Sequence, residues 1–508
     1  MGTKALANDS GSGMIRRFFQ SKRSSVLIEG DSPGAGARLA AGVAVAPIDG
    51  ATAGYLAGRR ESQGMPQEAR ATSRLEPRRK PERLDGEGTV LTSVAEVGDP
   101  GELKTLRQSP RRPLVEVRSE PLRIAMIGQR GIPATFGGVE HHVEELGAAL
   151  AARGHRVTVF SRNNYVDDRL VEYRGMRLRH LPTVGTKHLD AIVHSALSTA
   201  VACGQSYDIV HYHAVGPGIP AVIPRFLSGA KVVLTVHGLD GDRAKWGFAA
   251  RTILKTGEWL SAHVPDATIA VSDSISEHYK SRYGRVAAHI PNGVEEPLPI
   301  SSTDALEKFG LDRGGYVLFV GRIVPEKAPD MLIRAWRRLK GDMRLVIGGE
   351  SSYTNDFVRL VRDLGLSDDR VVFTGYVYGD ELSQLYANAA AFVLPSSLEG
   401  LPLTLLEAAS HGTPVIASDI APHLEIIGSD GPGHHLFPCG DEQALAACIR
   451  RTLMDPAAEQ AGAQSFRSHV LHTYTWGGAM EATESLYLRC LGRSAVAEAD
   501  RSETARIA

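Results

Sequence analysis

Ala391-Phe392-Val393-Leu394 is apolar throughout and gives way to Pro395-Ser396-Ser397-Leu398-Glu399-Gly400-Leu401-Pro402, after which Leu403-Thr404-Leu405-Leu406-Glu407 resumes at helical spacing. An unbroken apolar run is what a strand buried on both faces requires. A proline in the first turn of a helix loses nothing, because the first amides have no intrahelical partner. The stretch therefore reads as strand, loop and helix, the unit from which parallel sheets are built. The free amides of Leu403 and Thr404 would point toward any phosphate beyond the strand's carboxyl end. Glu399 and Glu407 stand eight residues apart. Were all eight helical, a rise of 1.5 Å per residue would separate them by about 12 Å. Carboxylate pairs that cleave one glycosidic bond sit about 5 to 9.5 Å apart, so two separate hydroxyl contacts suit this pair better. The other reading is a solvated helix Glu and a loop Glu.

The same grammar extends in both directions. Upstream, strands are expected at Arg123 to Gly128, Arg156 to Phe160, Arg177 to Leu181, Ile209 to His213, Val232 to Val236 and Thr268 to Val271. Between them, Val139, Val143, Leu146 and Leu150 fall at helical spacing, and so do Leu189, Ile192, Ala196 and Ala200. After a linker from Pro291-Asn292-Gly293 to Asp304, strands recur at Tyr316 to Val320, Arg344 to Ile347, Arg370 to Phe373, Ala391 to Leu394, Pro414 to Ala417 and His435 to Phe437. The fold class is α/β, with two tandem Rossmann-like, doubly wound domains facing a cleft. The expected divisions are 1–120 as an extension, 121–295 and 296–475 as the two domains, 476–492 as a helix crossing back onto the first domain, and 493–508 as a tail. Ligands of such sheets bind beyond the carboxyl ends of the strands, which places a substrate between the domains.

Composition limits the alternatives. The 508 residues carry 57 Lys plus Arg against 58 Asp plus Glu, a formal net charge of −1, which gives no support to a nucleic-acid binder. Residues 1–118 are net +5 and the remainder net −6, and the head has only Phe18, Phe19 and Tyr55 as aromatics. So little apolar surface cannot offset chain entropy, and the extension is expected to be disordered. Its basic clusters, Arg16-Arg17, Lys22-Arg23, Arg78 to Lys80 and Arg111-Arg112, are of a kind that touches anionic headgroups; a solvated tail or an over-extended start of translation is the plainer reading. No apolar run approaches the roughly 18 residues that span a bilayer, and the start has no secretory pattern. Four cysteines form no C-x-x-C, which fits a reducing cytoplasm, and Cys203 and Cys448 are expected inside helices. The expected location is cytoplasmic, with peripheral contact at the inner face of the membrane if the acceptor is lipid-linked.

Three further segments bear on chemistry. Tyr316 to Val320 leads into Gly321-Arg322-Ile323-Val324-Pro325-Glu326-Lys327, two cations at the end of a strand, placed to clamp a diphosphate. Gly137-Gly138-Val139-Glu140 opens a helix with a glycine pair that lets backbone amides approach an anion; a turn with no ligand is the alternative. No G-x-G-x-x-G is present, so a dinucleotide fingerprint is absent. Asp240-Gly241-Asp242 has the D-x-D form of metal-dependent transferases. His141-His142 and His211-x-His213 could make a zinc site with His237; polar lining of a cleft is the preferred reading, and no metal is expected.

Glu399-x7-Glu407, Gly321-Arg322 to Lys327, Gly137-Gly138-Val139-Glu140 and Thr235-Val236-His237-Gly238 together resemble the retaining GT-B glycosyltransferases of family 4, also called group 1, over Leu122 to Leu491. The stretch from Ile127 to Ala134, through Lys187-His188-Leu189-Asp190, to Gly238-Leu239-Asp240 and Arg243 to Trp246 is similar to the amino-terminal domain of bacterial rhamnosyltransferase-like enzymes of surface polysaccharide assembly. The resemblance implies transfer of a hexose or deoxyhexose, with retention, from a nucleotide sugar to a saccharide or polyprenyl-linked saccharide, with no cofactor. It implies that Arg322 and Lys327 neutralise the donor diphosphate, that Glu399 holds sugar hydroxyls, and that Glu407 accepts from the ribose. It further implies that the Leu403 and Thr404 amides cap the phosphates, that Gly137 and Gly138 approach them from the other domain, and that His237 lies beside the transferred sugar. Two positions depart from the family pattern: Ala328 stands where members often have Gly, and Gly400-Leu401-Pro402 where many have an aromatic and a Gly. The rivals are a non-catalytic sugar-nucleotide-binding protein and a two-domain nucleotide-sugar epimerase.

Overall fold

The computed structural model describes residues 120–134, 137–166, 169–184, 190–239, 248–300, 302–351 and 355–493. The expected extension up to residue 119, the tail beyond 493, Asp240-Gly241-Asp242, Arg243 to Trp246 and Lys187-His188-Leu189 lie outside the described residues.

Two sheets form. The first contains β1 (Arg123–Ile127), β2 (Arg156–Arg162), β3 (Glu172–Tyr173), β4 (Met176–Leu181), β5 (Ile209–His213), β6 (Lys231–Val236), β7 (Ala267–Ala270) and β8 (Ala288–His289). Their spatial order is β3-β4-β2-β1-β5-β6-β7-β8. All neighbours are parallel except the β3–β4 pair. The second contains β9 (Tyr316–Val320), β10 (Arg344–Gly348), β11 (Val371–Gly375), β12 (Ala391–Leu394), β13 (Val415–Ser418) and β14 (His434–Phe437), in the order β11-β10-β9-β12-β13-β14. Every pairing in it is parallel. The twelve expected strands are all present, with bounds moved by one or two residues. β3 and β8 have two residues each, too few to show a pattern in the sequence.

This is the two-domain α/β architecture with a doubly wound sheet in each half. The apolar runs explain it. Ile124 to Ile127 and Tyr316 to Phe319 are fully buried, because helices cover both faces of each sheet. Each such side chain contributes about 1.5 to 3 kcal/mol over leaving it in water. In both sheets the chain winds one way and then crosses to the other side, so the order reverses between β1 and β5 and between β9 and β12. A crevice opens at the carboxyl ends of strands at such reversals.

The helix Gly138–Ala152 buries Val143, Leu146 and Leu150, as its spacing predicts. The helix Asp190–Cys203 does not follow its apolar spacing. It buries His194, Ser195, Ser198, Thr199 and Ala202 and leaves Ala196 and Ala200 exposed. Small hydroxyl side chains let this helix lie close on the sheet, where Thr199 Oγ1 is 2.7 Å from the Tyr212 hydroxyl and donates to Ser195 O. Cys448 is buried, but Cys203, on the last residue of its helix, is only half-buried.

The helix Trp476–Cys490 lies against the first sheet. His211 Nδ1 is 2.7 Å from the Tyr487 hydroxyl and His155 Nε2 is 2.9 Å from Glu484 Oε1. Trp476, Leu486 and Tyr487 share one apolar cluster with Leu122, Ile124, Val143 and Leu146.

Candidate active site

The second sheet supplies the charged part of the site. β9 ends at Val320, and Gly321 follows without a side chain because Lys327 folds back over it. A Cβ there would sit 2.9 Å from Lys327 Cδ. Arg322 comes next, half-buried. The chain then makes a tight turn over Pro325–Lys327, and Ala328 takes the left-handed conformation, φ 48° and ψ 41°, before the helix Pro329–Trp336 begins. On the other side of the reversal, β12 ends at Leu394 and the loop to Pro402 carries Glu399. Lys327 Nζ donates to Glu399 Oε1 at 2.7 Å, and Ser396 Oγ donates to the same oxygen at 2.7 Å. The two loops are also tied through their backbones, Ser397 N donating to Glu326 O at 2.8 Å. The expected cation and carboxylate, 72 residues apart in sequence, thus meet where the strand order reverses.

Burial alone would raise the Glu399 carboxyl, but the Lys327 charge and hydrogen bond, with smaller help from His423 and Ser396, hold it below the ordinary carboxylate value. Behind it runs a buried chain that the sequence did not reveal. Ser418 Oγ donates to Ser396 O at 2.5 Å, and His423 Nδ1 donates to Ser418 O at 2.8 Å. His423 is fully buried and its ring is pushed down to about 4, chiefly by burial, against the pull of the Glu399 carboxylate. With Nδ1 donating, its Nε2 carries a lone pair and has no partner among the described residues. Glu407 is set by another residue missed in the sequence: the Tyr386 hydroxyl donates to its Oε2 at 3.0 Å. A serine or histidine with no motif of its own gives no signal until the strand order brings it to the site.

Pro402 is the cap of the helix Leu403–Ser410 and not its first residue, one position from expectation. No side chain caps this helix, and the backbone bonds of its first turn begin with Leu405 N and Leu406 N donating to Pro402 O. The Leu403 and Thr404 amides therefore remain as donors, with the buried Thr404 Oγ1 also without a partner among the described residues. Only the second half of the Glu399 to Glu407 stretch is helical, so the 12 Å estimate does not apply.

The first domain closes over this surface. Gly137, at φ 101°, precedes the helix Gly138–Ala152; a Cβ on it would meet Glu140 Oε2 at 2.2 Å. Glu140 Oε1 accepts from Arg130 N at 3.0 Å and so ties the helix start to the loop after β1. A Cβ on Gly138 would be 3.5 Å from Leu403 Cδ1, which places the glycine pair opposite the start of the helix Leu403–Ser410. His237, at the end of β6, faces Gly400. The stretch Thr374 to Gly379 presents Tyr376 and Tyr378 as a stacked and partly exposed pair, centroids 5.9 Å apart.

Three imidazoles gather beside His237. His142, His213 and His237 offer ring nitrogens within 4.8 Å of one another, a donor set with the chemistry of a divalent-cation site. His213 Nδ1 and His237 Nε2 are 3.3 Å apart and His142 Nδ1 is 2.9 Å from Asn292 Oδ1, so three of the six ring nitrogens already have polar partners. Burial first, and neighbouring imidazoles second, push His213 and His237 well below the ordinary value; His142, chiefly through burial, falls to about 4. The cluster is neutral near pH 7. His211 packs against His213, ring centroids 4.2 Å apart, with its own nitrogens bonded to Tyr487 and Thr235.

Comparison with known proteins agrees with this arrangement. Residues 303–467 match the family described as glycosyl transferases group 1, and residues 136–296 match glycosyltransferase family 4. The two matched stretches fall on the two α/β domains, each of which resembles a glycosyltransferase domain. It is 29% identical over 423 residues to a D-inositol 3-phosphate glycosyltransferase of Nocardiopsis dassonvillei, covering 74% of this chain and 96% of that one. It is 28% identical over 410 residues to a glycogen synthase of Mycobacterium tuberculosis, covering 72% and 94%. Among solved structures, a sucrose-phosphate synthase of Thermosynechococcus elongatus superimposes with a TM-score of 0.63 at 25% identity, over 73% of this chain and 99% of that one.

Proposed function

We propose that this glycosyltransferase moves a hexose or deoxyhexose from a nucleotide-diphosphate sugar to a saccharide or lipid-linked saccharide, with retention and without a metal, in surface polysaccharide or glycolipid assembly. The observation that supports this most is the Lys327–Glu399 pair, held at the ends of β9 and β12 on a loop whose Gly400 packs directly against the backbone of His237. The bond between the anomeric carbon and the diphosphate oxygen breaks while the acceptor oxygen bonds to the same face of that carbon. The acceptor's proton passes to the departing phosphate oxygen. Charge grows on the diphosphate, and Arg322, Lys327 and the Leu403 and Thr404 amides stabilise it; preorganised donors of this kind contribute about 10²- to 10³-fold each. Glu399 orients the sugar hydroxyls, Glu407 the ribose, and His237 offers a neutral imidazole beside the sugar.

The direct test is a thermal-shift screen against nucleoside diphosphates, followed by turnover with the matching nucleotide sugar with and without acceptor. Stabilisation by a nucleoside diphosphate and acceptor-dependent release of it support the proposal. Sugar conversion with no acceptor would assign an epimerase, and binding with no turnover a non-catalytic protein. A chelator is expected to leave turnover unchanged. Loss that zinc restores, and that His213→Asn abolishes, would assign the three imidazoles to a metal.

A further inference from the structure

The linker between the domains carries a buried carboxamide whose two functions point to opposite sides of the cleft. Asn292 is 4% exposed. Its Oδ1 lies 2.9 Å from His142 Nδ1, on the helix that starts at the Gly137-Gly138 pair. Its Nδ2 donates to Leu401 O at 3.0 Å, in the loop between Glu399 and the Leu403 amide. A carbonyl oxygen can only accept, so His142 carries its proton on Nδ1, and the orientations of both side chains follow from one bond.

The backbone around Asn292 is held as well. A Cβ on Gly293 would sit 2.2 Å from Trp476 N, so the linker lies directly on the start of the returning helix, with no room for a side chain. Val294 N donates to Tyr474 O at 2.9 Å. Asn292 therefore has a fixed base from which to reach both domains.

We infer that Asn292 is a positioning residue for the transfer reaction: it sets the spacing between the Gly137-Gly138 helix start and the Glu399 to Leu403 loop. This rests on the sugar-nucleotide reading of the cleft. The charged side chains and free amides that bind the diphosphate in that reading, Arg322, Lys327, Leu403 and Thr404, belong to the second domain, with Gly137 and Gly138 approaching it from the first, whereas the sugar must be aligned by both. Loss of the carboxamide should thus spare nucleotide binding and impair turnover.

The test compares the native chain with Asn292→Ala and Asn292→Asp. UDP and GDP are titrated first, and if neither binds the native chain, the proposed function falls and takes this inference with it. Given native binding, Asn292→Ala is expected to keep its nucleotide Kd within about threefold and lose about tenfold or more in kcat, the scale of a small misplacement in a reacting geometry. Asn292→Asp supplies a donor to Leu401 O only when its carboxyl is protonated. Its kcat relative to Asn292→Ala should therefore rise as pH falls, a response that mere packing would not produce. Should Asn292→Ala retain native kcat, or lose nucleotide affinity in proportion to turnover, or should the Asp variant track the Ala variant at every pH, the inference is overturned. If Asn292→Ala fails to fold, the kcat of Asn292→Asp relative to the native chain decides: a ratio that rises as pH falls supports the inference, and a ratio that does not change with pH overturns it.

Discussion

A side chain on Gly400 would begin 2.0 Å from the carbonyl oxygen of His237 and 2.7 Å from its carbonyl carbon. No Cβ tolerates such contacts, so the loop carrying Glu399 approaches the end of β6 as closely as backbone can. Gly400→Ala must push the loop outward by about an ångström, a displacement that costs on the order of a hundredfold when it falls on reacting groups. The expected result is a kcat/KM lower by about that factor. Nucleoside diphosphate affinity should fall as well, because the displaced loop carries the partner of Lys327 and leads into the Leu403 and Thr404 amides. Native kcat/KM in a folded Gly400→Ala variant would show that the two loops separate during turnover.

Lys327 and Glu399 are nearly buried, with side-chain exposures of 14% and 12%. Removing one partner of such a pair leaves an uncompensated charge and costs about 3 kcal/mol. Lys327→Met should therefore lose both turnover and stability, whereas Lys327→Met with Glu399→Gln should regain most of the stability and none of the turnover. Urea unfolding of the two variants measures this. The pH dependence has a definite sign. Glu399 lies below its ordinary value of 4.5, so its contribution is present above that pH and disappears as pH falls through the lower folded value. Glu399→Gln should remove that part of the acid sensitivity.

The strands and the charged motifs could be read from the sequence because each is local: an apolar run is its own evidence, and Gly321-Arg322 to Lys327 lies beside the strand that launches it. The supports of the site could not be read. Ser396, Ser418 and His423 come together only because β12 and β13 are neighbours, and Tyr386 reaches Glu407 from another helix. Asn292 and His142 are 150 residues apart and belong to no common motif. The helix Asp190–Cys203 misled because Ala196 and Ala200 fall on its exposed side, while the small side chains of Ser195, Ser198 and Thr199 make the buried one, with Thr199 bonded to Tyr212 of the sheet.

His289 joins the domains by charge. Its Nδ1 is 3.0 Å from Asp273 Oδ1 in the first domain, and its Nε2 is 3.0 Å from Glu425 Oε1 on the helix Ala421–Ile427 in the second. Asp273 N also donates to Glu425 Oε2 at 2.8 Å. The Glu425 contact, with Asp273 adding to it and partial burial opposing, raises the imidazole above its ordinary 6.5. A raised folded value means that the stabilisation is complete below 6.5 and fades as pH rises through the folded value. Stability should therefore decline over that window in the native chain and stay flat in His289→Gln. Parallel slopes in the two proteins would remove His289 from the account.

Ala328 holds a conformation that usually belongs to glycine, φ 48° and ψ 41°, between the turn that delivers Lys327 and the helix Pro329–Trp336. For a residue with a Cβ this costs about 1 to 2 kcal/mol. Ala328→Gly relieves that strain but frees the unfolded chain, which takes back about 0.4 to 1 kcal/mol. The net expected gain is about 1 kcal/mol or less. Ala328→Val adds a β-branch to the same backbone and should lose about 1 to 2 kcal/mol more. Equilibrium unfolding of the three chains gives the order Gly, Ala, Val from most to least stable. Turnover should fall for Val alone, because the turn that opens to accommodate it also carries Lys327 away from Glu399. A valine variant as stable and as active as the native chain would mean that the turn relaxes without moving Lys327, and that the left-handed residue is not what fixes the cation in the cleft.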